Sequence, residues 1–98
     1  MRFSVKISEY QKNQMLNICD IDLLGKTIIQ DELNMKISKS YYGEKIIEDD
    51  EAKKLLKNSS IINMVGKDTI SLSLELGVGS EYAVKTIGGV PFLIVFQM

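Results

Sequence analysis

Val90-Pro91-Phe92-Leu93-Ile94-Val95-Phe96 is apolar without interruption and directly follows Gly88-Gly89. Consecutive side chains of an extended strand alternate between the two faces of a sheet, so this run presents hydrophobic groups to both. Each face then needs covering, by helices or by a partner chain. The stretch is far below the roughly 20 residues that span a bilayer as a helix, so no membrane passage is expected. Gly88-Gly89 suits a two-residue hairpin turn, with Ala83–Ile87 as the antiparallel mate of Val90–Gln97. Pro91 belongs near the strand start, or where its missing N–H faces no ladder.

The other end of the chain alternates with a period of two. Phe3, Val5 and Ile7 face one way and Arg2, Ser4 and Lys6 the other, which predicts a half-buried strand over Arg2–Ser8. Polar residues from Glu9 to Gln14 form a turn, and Met15–Cys19 is its antiparallel partner. Asp20 is placed to cap a short helical turn, Ile21–Leu24, ending at Gly25. Thr27–Ile29 and Leu33–Ile37 are short strands around the Gln30-Asp31-Glu32 turn. Glu48–Lys57 is the clearest helix. Acids in its first turn and lysines in its last complement the dipole, and Ala52, Leu55 and Leu56 form an apolar face. Ile70–Leu76 is open: strict alternation favours a strand, while Asp68, Gly77 and the Ile70/Leu74 spacing favour a helix.

Ninety-eight residues leave room for one domain, spanning 1–98. Area scaling for that mass gives roughly two thirds of the unfolded surface buried, enough to fold without staples. Cys19 is the only cysteine, which fits a reducing compartment, and the start of the chain lacks a signal-peptide pattern. A cytoplasmic protein is expected. Twelve basic and 13 acidic side chains leave a net charge of −1, with no global field toward nucleic acid or an anionic membrane. Residues 59–98 carry only Lys67 and Lys85 against three acids, so the C-terminal part reads as core and ligand-facing charge as N-terminal.

Several short blocks occur in a recognisable order: Cys19-Asp20, Leu23-Leu24-Gly25-Lys26, Tyr41-Tyr42-Gly43, Asn63-Met64-Val65-Gly66 and Ile87-Gly88-Gly89-Val90-Pro91. Together they make the chain resemble the small, mainly archaeal domain-of-unknown-function family 424 over nearly its whole length. The resemblance implies a stand-alone protein of about this size, with no established activity, substrate or cofactor. It also implies a helix over Lys67–Leu76. Cys19, Asp20, Gly25, Asn63, Gly66, Gly88, Gly89 and Pro91 enter as motif residues without an assigned role. A histidine often follows the Gly-Gly-Val-Pro block in the family, and here that position is Phe92, which puts any acid–base role there in doubt.

Histidine is absent from the chain. That removes Ser-His-Asp and Cys-His nucleophile activation and, with one cysteine, Cys/His zinc sites. Asp20, an adjacent anion, opposes thiolate formation at Cys19, and a buried, inert thiol is the plainer expectation. Gly25-Lys26-Thr27 looks like the end of a P-loop, but the glycine required five residues earlier is Asp20, and an aspartate repels phosphate. Glu48-Asp49-Asp50-Glu51 offers oxygen ligands at a spacing that suits a dipole-complementing first turn better than a metal cage. No catalytic constellation, metal site or cofactor is expected.

The segment left with functional character is Lys36–Lys45. Lys36, Lys39 and Lys45 can track phosphates, and Tyr41 and Tyr42, followed by Gly43, can stack on unpaired bases. The bland alternative is a strand end leading into a turn. The expected fold is α+β: an N-terminal hairpin and short strands, two central helices, and a C-terminal hairpin completing one sheet. The first functional expectation is a non-catalytic module for RNA or a ribonucleoprotein, using the Lys36–Lys45 segment with Lys26. A small enzyme built on Cys19 or Asp20 near Lys26 is the second. The third is an assembly protein whose apolar C-terminal strand forms a homodimer or heteromeric contact.

Overall fold

The computed structural model describes residues 1–97, the side chain of Tyr10 excepted. In chain order the strands and helices are β1 (Arg2–Tyr10), β2 (Asn13–Asp20), β3 (Thr27–Gln30), β4 (Leu33–Lys36), α1 (Lys39–Tyr42), β5 (Lys45–Glu48), α2 (Asp49–Asn58), β6 (Ile61–Val65), α3 (Lys67–Glu75), β7 (Lys85–Ile87) and β8 (Val90–Phe96). Six strands form a mixed sheet in the order β5-β1-β2-β6-β8-β7, while β3 and β4 form a separate two-stranded sheet. The fold is α+β. Its radius of gyration, 12.5 Å, is that of one domain of this length, about 13 Å by scaling.

The N-terminal hairpin is longer than its polar residues suggest. β1 and β2 pair from Phe3↔Asp20 to Tyr10↔Asn13, leaving only Gln11 and Lys12 as the turn. Both have positive φ, 51° and 68°, which matches the right-handed twist of the strands it joins. The expected turn over Glu9–Gln14 thus shrinks to two residues, because solvent-facing strand positions can also be polar. β2 and β6 pair in parallel, Met15↔Ile61 through Cys19↔Val65, and the 40-residue excursion between them supplies the crossover a parallel pair requires.

One face of the sheet carries α2 and α3. Phe3 and Val5, Leu16 and Ile18, Ile62 and Met64, and Leu93 meet Ala52 and Leu56 of α2 and Ile70 and Leu72 of α3, all buried. The helical answer over Ile70–Leu76 has a local cause. Ser73, the polar partner in the apparent alternation, is fully buried and donates its hydroxyl to the Val78 carbonyl at 2.6 Å. The Val78 N–H returns to the Ser73 carbonyl at 2.9 Å, across Gly77 at φ +77°, so the last turn closes on itself. The end of α2 is satisfied from outside: the Gln97 amide donates to the carbonyls of Leu56 and Ser59 at 2.7 and 2.9 Å.

The other face is covered over only part of its area. The β3–β4 hairpin and α1 fold across it as a lid, packing Ile28, Ile37 and Tyr42 onto Cys19, Val65 and Phe92. At the lid's margin and past it, Ile94 and Phe96 are 59% and 76% exposed. Within this chain the expected covering of Val90–Phe96 is supplied on the helix face and on part of the other, and not at Ile94 and Phe96. The chain's helices pack on one face, and its hairpin lid covers only part of the other. Three further elements escaped the pattern reading, namely α1, β5 and β6, each only four or five residues long. Among the described residues no helix is long and apolar enough to cross a membrane.

Candidate functional site

The motif residues separate into those that build the second face and those that line its cavities. Cys19 is fully buried under the lid. Burial, then Asp20, then Asp22 push its thiol up to about 12, so it stays protonated at neutral pH and is a poor nucleophile. Burial first and Cys19 second also raise the Tyr42 phenol above its ordinary range.

Asp20 sits at the N-cap position of a short 3-10 turn, Ile21–Leu23, yet its carboxylate makes no capping bond there. It serves a helix 48 residues away instead. Its two oxygens accept from the Asp68 N–H at 3.1 Å, the Thr69 N–H at 2.8 Å and the Thr69 hydroxyl at 2.7 Å, all in the first turn of α3. Gly66, the residue before that helix, has φ +108°, and a Cβ there would lie 2.6 Å from both Asp20 oxygens. Asp20 and Gly66 are thus two halves of one remote cap. Gly88 has a comparable role in the lid. A Cβ at Gly88 would meet the Ile29 carbonyl oxygen at 2.7 Å, and the Gly88 N–H donates to Gln30 Oε1 at 2.8 Å. The Gly88-Gly89 turn, with φ of +56° and +79°, is both a hairpin turn and the seat of the β3 strand end.

Lys26, Lys36 and Lys39 converge. With Gly25, Ser38 and Ser40 they line one open depression of about 690 Å³ on the outer side of the lid, and no acidic side chain shares that lining. The base of the lid is held by backbone bonds, Gly25 N–H to the Ile37 carbonyl at 2.7 Å and Ile37 N–H to the Lys26 carbonyl at 2.9 Å. Lys6 reaches the Ser40 carbonyl at 2.8 Å and brings a fourth cation to the rim. Lys45 does not join them: it lies on β5 and pairs with Glu51 at 2.7 Å. Tyr41 is 65% exposed beside the depression's α1 border, whereas Tyr42 turns inward to the lid's core. Gly43 closes α1, its N–H bonded to the Lys39 carbonyl at 2.8 Å.

Beneath the opposite side of the lid is a second cavity of about 480 Å³ that the sequence reading missed. Met35 and Tyr42 form its roof, Asn63, Phe92 and Ile94 lie along its floor strands, and the exposed Lys85 is at its edge. Asn63 is the polar exception, and its orientation is imposed. The Tyr41 carbonyl can only accept, so Asn17 presents its amide nitrogen there, at 3.0 Å. Asn17 Oδ1 is then left to accept from Asn63 Nδ2, at 2.7 Å. Asn63 keeps its Oδ1 and one N–H without a partner among the described residues. The signal for this site was the Asn63 motif block, but only the Asn17↔Asn63 register makes the two amides neighbours. Pro91 lies one residue inside β8, where its carbonyl accepts from the Gly66 N–H at 2.9 Å.

No curated protein matches the chain. Among solved structures, the crystal structure of an uncharacterized conserved protein from Methanopyrus kandleri matches with a TM-score of 0.81 and 26% identity, over 100% of this chain and 95% of that one. The family model described as "Protein of unknown function (DUF424)" matches residues 8–98, nearly all of the chain, and the protein belongs to that family.

Proposed function

We propose that this protein is a non-catalytic module that binds RNA, free or within a ribonucleoprotein, through the groove of Lys26, Lys36 and Lys39. The observation that carries this reading is their convergence, with two serine hydroxyls and no carboxylate, on one concave surface. Such an arrangement suits a phosphate backbone, where flexible ammonium groups act as point charges and hydroxyls add directed hydrogen bonds. The exposed Tyr41 ring beside it suits stacking on an unpaired base. The overall charge of −1 makes the interaction local, so it depends on this patch rather than on the field of the whole protein.

The test is fluorescence anisotropy of a labelled single-stranded RNA over a series of salt concentrations. Neutralising three phosphate contacts in the variant K26Q/K36Q/K39Q lowers the salt-dependence slope by about 2, from roughly 0.7 per contact, and weakens binding at every salt. Lys45→Gln, outside the groove, leaves the slope unchanged. Equal affinity and slope for wild type and the triple variant would sink the reading.

An assembly role has an observation of its own. β7 pairs with β8 only over Val90–Phe92, so among the described residues no strand lies on the outer side of Leu93–Phe96, where two large apolar side chains are exposed. An unpaired apolar edge is a template for a second strand.

A further inference from the structure

We propose that the 480 Å³ cavity under the lid receives one unpaired nucleobase of the RNA whose phosphates follow the lysine groove, with Asn63 as the group that reads its edge. The inference rests on the RNA reading above and adds a second contact point to it.

Size and shape come first. The volume falls within the range of small-ligand cavities, and its walls are mainly apolar, with the flat rings of Tyr42 and Phe92 among them. A planar ring entering it replaces water against apolar surface. A charged or strongly hydrated ligand would gain little there.

Polarity comes second. A single primary amide in such a cavity presents an acceptor and a donor side by side, and every nucleobase carries an adjacent donor and acceptor on its pairing edge. The amide is pre-oriented, because the relay from the Tyr41 carbonyl through Asn17 fixes which side of Asn63 is nitrogen. The donor and acceptor are therefore set before a ligand arrives.

Charge comes third, and it selects the occupant. Met35 roofs the cavity, while the next residue along β4, Lys36, lines the lysine groove on the other side of the lid. Tyr42 and Lys39 divide in the same way across α1. Lys85 adds a cation at the edge, and no acidic side chain lines either cavity. A polyanion drawn along the groove passes the rim of the lid and can turn a base beneath it. An apolar peptide would leave those lysines unused.

The experiment compares two six-nucleotide probes, a mixed-sequence single-stranded RNA and its abasic counterpart, on ¹⁵N- and methyl-labelled protein followed by NMR. Using abasic RNA leaves the protein unaltered, so a folding defect cannot mimic the result. The expected outcome is that RNA shifts the Asn63 side-chain amide and the Met35 methyl, while the abasic probe perturbs only residues around Lys26, Lys36 and Lys39. Affinity for the abasic probe falls by roughly tenfold or more, as loss of base stacking implies. Asn63→Ala then reduces RNA binding toward the abasic level. Equal binding of both probes, without a shift at Asn63, overturns the base pocket and leaves the RNA reading standing. Failure of both probes to bind overturns both. If free adenosine or cytidine alone shifts Asn63 while neither oligomer binds, the cavity is a small-molecule site and the RNA occupant is wrong.

Discussion

Cys19 and Asp20 are neighbours in sequence and point to opposite faces of the sheet, and that divides their physical fates. The Cys19 side chain lies under the lid with its pKa raised to about 12. In the unfolded chain a thiol ionises near pH 8.5, so between that pH and about 12 the unfolded state holds fewer protons than the folded one. Stability conferred by the protonated thiol is therefore complete below pH 8.5 and is lost as pH rises toward 12, at about 1.4 kcal/mol per pH unit. Denaturation midpoints measured between pH 8 and pH 11 should fall, and Cys19→Ala should flatten that fall at a modest cost in stability at pH 7. Native protein at pH 8 should also resist iodoacetamide until it is unfolded. Rapid native alkylation would contradict the burial.

At the scale of elements, α3 is held at its start by a side chain from β2 rather than by a local cap. Its entry residue, Gly66, has the left-handed φ of +108° and brings no capping side chain of its own. The Asp20 carboxylate meets that need with three hydrogen bonds and thereby ties the helix to the centre of the sheet. Asp20→Ala leaves the buried Thr69 hydroxyl without its acceptor, and a loss of about 2–3 kcal/mol is expected in urea unfolding at neutral pH. A loss below about 0.5 kcal/mol would mean that water replaces the carboxylate without cost. Gly66→Ala should be damaging for a separate reason, since the added Cβ meets both φ strain and the carboxylate oxygens. The same logic joins Gly88 to Ile29 and explains why two motif glycines far apart in sequence act on contacts that are not local.

At the scale of the molecule, the two faces of the sheet differ in how completely they are covered. Helices cover the first face, while the lid covers part of the second and leaves Ile94 and Phe96 exposed at a strand edge. If that edge is an assembly surface, sedimentation coefficients should rise with protein concentration through the micromolar range. The variant I94S/F96S should remain monomeric, with stability within about 0.5 kcal/mol of wild type because both side chains are already largely exposed. A strictly monomeric wild type at high micromolar concentration would end self-association. The lysine groove and the cavity share the lid: Met35 and Tyr42 line the cavity, while Lys36 and Lys39 of the same two elements line the groove.

Much of this architecture is local enough to be read from the chain. Alternation in Arg2–Ser8, the charge-segregated helix around Ala52–Leu56 and the Gly88-Gly89 turn each express preferences that act over a few residues. The short elements were hidden for the complementary reason. In β5, β6 and α1, four or five residues span too few periods to separate helix from strand, and their partners lie far along the chain. The candidate site divides the same way. The lysine- and tyrosine-rich segment was visible as composition, but the exclusion of Lys45, the inward turn of Tyr42 and the meeting of Asn17 with Asn63 depend on register across strands. Sequence by itself determined a hairpin at each end of the chain and one clear helix, around Ala52–Leu56, between them. Only tertiary structure decided which face stayed open, which lysines met, and that Asp20 caps a distant helix, because those outcomes depend on which residues non-local strand pairing brings within a few ångströms of one another.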